Sequence, residues 1–202
     1  NTALQADTII NRGTLGSSIA PSGAANANGV LTINAKTLVN SDANILSGND
    51  ISITADNIHT QNGTIAGNGD ISVAAAQHLD IEKATLQSGR NFSIQANSMP
   101  LTGNISSGKD LSVALSGDLT NASAADSFGN LHAGGNLTAE VNGAVFNRKN
   151  LEADGTLTLT ATGNLTQTNE GRISGQNLNL TAADIHNQNL IQADKRTNIA
   201  AV

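Results

Sequence analysis

The side chains able to carry chemistry are few and scattered. The 202-residue chain has no Cys, four His, 16 Asp plus Glu and ten Lys plus Arg, for a net charge of −6. Without Cys there is no thiolate nucleophile, disulfide or thiolate metal site. His59 and His186 recur in matching phrases, Ile58-His59-Thr60-Gln61-Asn62 and Ile185-His186-Asn187-Gln188-Asn189. Both alternate with apolar residues and so point outward from a strand. They also lie six intervals apart along the repeat described below, too far to share a ligand. His78 and His132 fall at other positions and form no cluster with the first pair. Asp50, Asp70 and Asp110 share one repeat position with Asn91, Asn136, Thr156 and Asn177. Such a row could bind a cation, but stacked carboxylates repel one another and Asn or Thr replaces them freely. Turn formation is the better account. A paired-carboxylate active site needs two acids about 5 to 10 Å apart. Asp80 with Glu82 and Glu152 with Asp154 are the densest local pairs, and neither has an aromatic neighbour to stack a sugar. The expectation is a non-enzymatic chain with no catalytic residue, no cofactor and no metal site.

What must position these residues is written in the composition. Hydrophobic residues make up 38% and charged residues 13%, while 27 Asn and 20 Gly fill the difference. There is no Trp or Tyr and there are three Phe, so a core must be built from Ile, Leu, Val and Ala. That suits a narrow, regular core better than a spherical one. Ten cations without Trp or Tyr offer little to grip nucleic acid. No stretch approaches the roughly 20 apolar residues of a membrane helix, so the chain is not expected to span a membrane. The opening Asn1-Thr2-Ala3-Leu4-Gln5 reads as the interior of something longer.

One phrase recurs along the whole chain. It appears as Asn28-Gly29-Val30-Leu31-Thr32-Ile33, Gly48-Asn49-Asp50-Ile51-Ser52-Ile53 and Asn68-Gly69-Asp70-Ile71-Ser72-Val73. Later copies begin at Gly89, Gly108, Gly134, Asp154 and Gly175, with weaker ones at Asp7 and Asp194. The intervals are 21, 20, 20, 21, 19, 26, 20, 21 and 19 residues. Apolar alternation within each copy reads as strand. A second apolar point follows (Leu38, Ile58, Leu79, Met99, Leu119, Val145, Leu165, Ile185), then usually a third (Ile45, Ile65, Leu86, Ile105, Leu131, Leu151, Ile173, Ile191). Three short strands per unit, turned by Gly, Asn and Asp, describe one coil of a parallel β-helix, an all-β solenoid of about nine to ten coils of roughly 20 residues. Stacked Asn can hydrogen-bond in ladders between coils.

The domain reading is a single β-helix segment over residues 1–202, with extra-coil loops near 12–27 and 116–130. Loops leaving a rigid scaffold are common binding elements. Asn121, Ser123, Asp126, Ser127 and Phe128 in the second loop are the candidate partner contacts, set against a tolerated surface insertion. Seven Asn-x-Ser/Thr triplets occur, starting at Asn62, Asn91, Asn104, Asn121, Asn136, Asn164 and Asn179. Composition alone would produce many of them.

The phrases Leu46-Ser47-Gly48-Asn49-Asp50-Ile51-Ser52-Ile53-Thr54-Ala55 and His132-Ala133-Gly134-Gly135-Asn136-Leu137-Thr138-Ala139, with Leu119-Thr120-Asn121, resemble filamentous haemagglutinin repeats. Those repeats build the large exoproteins of bacterial two-partner secretion, including haemagglutinin-like adhesins and contact-dependent growth-inhibition proteins. The resemblance covers essentially the whole chain and implies a right-handed β-helix. It also implies export through an outer-membrane transporter, display at a Gram-negative cell surface, and a receptor on a host cell or neighbouring bacterium. That family's secretion domain carries Asn-Pro-Asn motifs; Asn26-Ala27-Asn28-Gly29 lacks the Pro.

Overall fold

The computed structural model describes residues 1–19, 28–121 and 128–202. These residues form strands, turns and no helix. Thr2 pairs in parallel with Leu31, Leu31 with Ile51, Ile51 with Ile71, Ile71 with Phe92 and Phe92 with Leu111. The series continues through Leu137, Leu157 and Leu178 to Thr197. From Leu31 to Thr197 the chain makes eight turns, and Thr2–Asn11 adds one further layer. The second row runs Ile9, Leu38, Ile58, Leu79 and later Met99, Leu119, Val145, Leu165, Ile185. The third runs Leu15, Ile45, Ile65, Leu86, Ile105, Leu131, Leu151, Ile173, Ile191. The parallel β-solenoid read from the repeat is therefore the fold.

Stacking explains why so small a vocabulary suffices. Each turn places an Ile, Leu, Val, Met or Phe directly above its counterpart, and these rows fill the tube from Leu31 to Ala182. The corners need small groups: Ser17, Ser47, Ser88 and Ser107 stack with Gly67, Ala133 and Ala153 at the third corner. Three of these hydroxyls return to the backbone: Ser47 Oγ to Gly29 O at 2.6 Å, Ser88 Oγ to Arg90 O at 3.2 Å and Ser107 Oγ to Lys109 O at 3.0 Å. Strands that differ in length bend rather than stop, so Ile71–Ser88 and Phe92–Ser107 each run through all three faces.

The irregularities have sharper boundaries than the sequence indicated. The weak copy at Asp7 is displaced: the partner of Leu31 is Thr2, 29 residues earlier. Ser17 is followed by Leu31 after 14 residues, whereas its stacked partner Ser47 is followed by Ile51 after four. Ten extra residues at that corner therefore mask the period. Thr14–Ser17, within the stretch read as a loop, is a paired strand. In the long turn, Leu131 follows Asn121 after ten residues, whereas Leu151 follows Asn147 after four. The six-residue excess thus lies beyond Asn121. The weak copy at Asp194 is in place, with Thr197 on Leu178 and Ile199 on Leu180.

Candidate functional site

The polar side chains sort into an inner row and several outer ones. Two residues beyond each second-row apolar residue, the chain turns a side chain inward. Asn11, Asn40 and Thr60 occupy this place in the first turns, and Asn121, Asn147, Gln167 and Asn187 in the last. Asn11 Nδ2 donates to Asn40 Oδ1 at 2.8 Å, and Asn40 Nδ2 to Thr60 Oγ1 at 3.2 Å. Asn121 Nδ2 donates to Asn147 Oδ1 at 2.6 Å, Asn147 Nδ2 to Gln167 Oε1 at 3.0 Å, and Gln167 Nε2 to Asn187 Oδ1 at 2.9 Å. The same amides also donate to corner carbonyls, Asn11 to Asn44 O and Gln167 to Leu190 O, each at 2.8 Å. Between the two ladders the position belongs to buried Ile81 and Leu101. An aliphatic residue two places before Asn, as in Leu119-Thr120-Asn121, is the signal in the sequence, but Thr60 and Gln167 hide it by changing the residue type.

At the corner before each first strand, the Asp and Asn row caps the backbone of the following turn. Asp50 Oδ1 accepts Asp70 N at 2.8 Å, Asp70 Oδ1 accepts Asn91 N at 3.0 Å, and Asp110 Oδ1 accepts Asn136 N at 2.8 Å. Asn136 Oδ1 accepts Thr156 N at 2.9 Å. This is turn chemistry, as the interchange of Asp and Asn indicated. Arg90 Nη2 reaches across two turns to Asp50 Oδ1 at 2.7 Å and Asn49 Oδ1 at 3.2 Å. Sequence reasoning missed that clasp, because 40 residues separate its ends.

His59 and His186 do fall in one outward row, through Asp80, Pro100, Thr120, Phe146 and Thr166. His59 Nδ1 lies 2.8 Å from Asp80 Oδ2, and Gln61 Nε2 donates to Glu82 Oε2 at 2.8 Å. These four line a shallow trough of about 410 Å³ with Pro100 and Thr102. Of the other acid pair, Asp154 meets His132 at 3.3 Å and Glu152 meets Arg172 at 3.7 Å. Among the described residues, no three His, Asp or Glu side chains are placed to hold a metal ion.

The candidate contact residues separate. Asn121 is buried and belongs to the inner ladder, where its Oδ1 also accepts Arg148 N at 3.0 Å. Ser123, Asp126 and Ser127 lie outside the described residues. Phe128 is half-buried, beside Gly129, whose φ of 99° is left-handed and whose N–H donates to Gly103 O at 2.7 Å. Of the triplet asparagines, Asn91, Asn104 and Asn136 cap backbone in neighbouring turns. Among the described residues, no helix is long and apolar enough to cross a membrane.

A rod of stacked turns, sealed inside by amide ladders and capped outside by short polar rows, defines a fibrous β-solenoid repeat protein. The family description "Haemagglutinin repeat" matches residues 1–58, 26–83, 58–123 and 88–201, and the chain belongs to that family. No curated protein and no solved structure matches it. Family and fold together fit a fibrous stalk segment of a secreted exoprotein.

Proposed function

We propose that the chain is a non-catalytic stalk segment of a large surface exoprotein of a Gram-negative bacterium. It would leave the cell through a two-partner-secretion transporter and hold an adhesive or toxic module away from the surface. The observation that carries this reading is the continuity of the three apolar rows through eight turns, which makes a stiff spacer. Some of the charged and imidazole groups on the rod are engaged with other turns, as His59 is with Asp80 and Arg90 with Asp50. A second reading makes the segment itself a receptor-binding module through the loop after Asn121. Its support is the six-residue excess at that corner of the rod, with half-buried Phe128 at its exit.

Binding of the folded chain to host epithelial cells and to neighbouring bacteria separates the two. The stalk reading expects no saturable binding by a chain whose circular dichroism is β-rich. Saturable binding abolished by deleting residues 122–127 would establish the loop as a recognition element and remove the passive stalk.

A further inference from the structure

Four Asn–Gly dipeptides occur, starting at Asn28, Asn62, Asn68 and Asn142. The nitrogen after an asparagine can attack that residue's own side-chain carbonyl, and glycine leaves it sterically open. The solenoid treats the four differently. Gly69 N–H is engaged, donating to Asn49 O at 2.9 Å. Gly29 is buried against Ser17 and Ser18. Gly63 is buried as well, and the Asn62 amide is held by Asp42 Oδ1 at 3.2 Å. Asn142-Gly143 escapes these restraints. It lies in the turn between Leu137–Val141 and Val145–Asn147, with Asn142 exposed and Gly143 half-buried. Among the described residues, neither the Asn142 side chain nor Gly143 N–H has a hydrogen-bond partner.

We propose that Asn142 is a site of spontaneous deamidation through a succinimide. Gly143 N bonds to Asn142 Cγ as the Cγ–Nδ2 bond breaks, and Nδ2 leaves as ammonia with the proton given up by Gly143 N. Water then opens the ring at one of its two carbonyls. The product is either aspartate or an isoaspartyl linkage in which the main chain runs through Cβ and Cγ. No oxidant, reductant or enzyme is consumed. Each product places a new carboxylate on a turn already occupied by Asp118, which is packed against Gly143 and accepts Ala144 N at 2.8 Å. The isoaspartyl form also adds a backbone atom between two anchored points. Asn142 N donates to Leu115 O at 2.9 Å, and Gly143 O accepts Gly163 N at 2.8 Å. Keeping both bonds then strains the register of this turn, so the modification loosens the rod at one defined level.

The test is to hold the folded chain in mildly alkaline buffer and locate products by peptide mass mapping, with isoaspartyl methyltransferase labelling. Asn142 is expected to convert first, at least about tenfold faster than Asn68. That factor corresponds to about 1.4 kcal/mol, the size of the backbone hydrogen bond that Gly69 has to break. In denaturant the two sites should convert at similar rates, and Asn142→Gln should remove the label from its peptide with circular dichroism unchanged. Asn142 remaining intact in the folded chain while the unfolded chain converts would overturn the proposal. So would conversion of Asn68 as fast as Asn142 in the folded chain.

Discussion

Asn147 is fully buried and serves three partners: Asn121 Nδ2, Gln167 Oε1 and, at 3.3 Å, Arg172 O. Asn147→Ala leaves a donor and two acceptors without their amide in the dry interior, at about 1 to 3 kcal/mol for each unsatisfied group. Arg90 offers the contrast. It holds Asp50 at 2.7 Å, but the side chains are 43% and 37% exposed, and such pairs contribute less than about 1 kcal/mol. Asn147→Ala is therefore expected to lower the urea midpoint several times further than Arg90→Gln. The Arg90 effect should also fade at high salt, and the Asn147 effect should not. Equal shifts for the two variants would mean that the ladder is solvated and that the interior is not dry. The distinction between inner and outer asparagines was only partly legible in the sequence. The recurrence of Asn suggested ladders, but which asparagines lie inside and which amide pairs with which depend on the coil stacking.

Among the elements, the second corner shows how a turn tolerates an unsuitable residue. Asp42, Asn62 and Lys83 occupy equivalent places after Ser41, Gln61 and Glu82, which stack in register. All three are left-handed, with φ of 51°, 50° and 49°. Asn and Asp enter that region readily, whereas Lys gains nothing there from a short polar side chain. In the next turn the corner is one residue shorter, since Glu82 and Thr85 pair with Thr102 and Asn104, and Gly103 takes the bend. There an added Cβ would press on Ala84 O and Ile81. Lys83→Asn is expected to raise stability by about 0.5 to 1 kcal/mol through relief of left-handed strain. Thermal unfolding of the variant reads it, and a lowered midpoint would show that the Lys83 side chain makes a compensating contact. Nothing in the local sequence around Lys83 announced a positive φ; the requirement comes from stacking on Asn62.

Over the whole molecule, each turn touches chiefly the turns above and below, so stability is close to a sum of turn and interface contributions. Ten layers at about 4.8 Å spacing span roughly 43 Å. The central strands Ile71–Ser88 and Phe92–Ser107 pair on both sides and bury every row, including Ile81 and Leu101 where the ladder gives way to hydrocarbon. Leu190–Ala201 pairs on one side, with Arg172–Ala182, and leaves Leu190 and Ile199 exposed. In the isolated chain, hydrogen exchange should be slowest over residues 71–107 and fastest over 190–201. Uniform protection along the rod would show that it opens only as one unit.

The repeat, the three apolar rows, the parallel solenoid and the family were all legible in the order of the residues, because stacking writes one physical demand onto every turn. Period-two alternation, small corner residues and recurring Asn are repeated often enough that a weak local signal becomes a strong one. Tertiary structure alone decided the true register of the first layer, where ten extra residues after Ser17 shifted the partner of Leu31 from the region of Asp7 to Thr2. It also decided which polar groups meet across turns, His59 with Asp80 and Arg90 with Asp50, and which asparagines lie inside. Those pairings depend on residues some 20 to 40 positions apart being brought one or two layers from each other, a relation that no local pattern encodes.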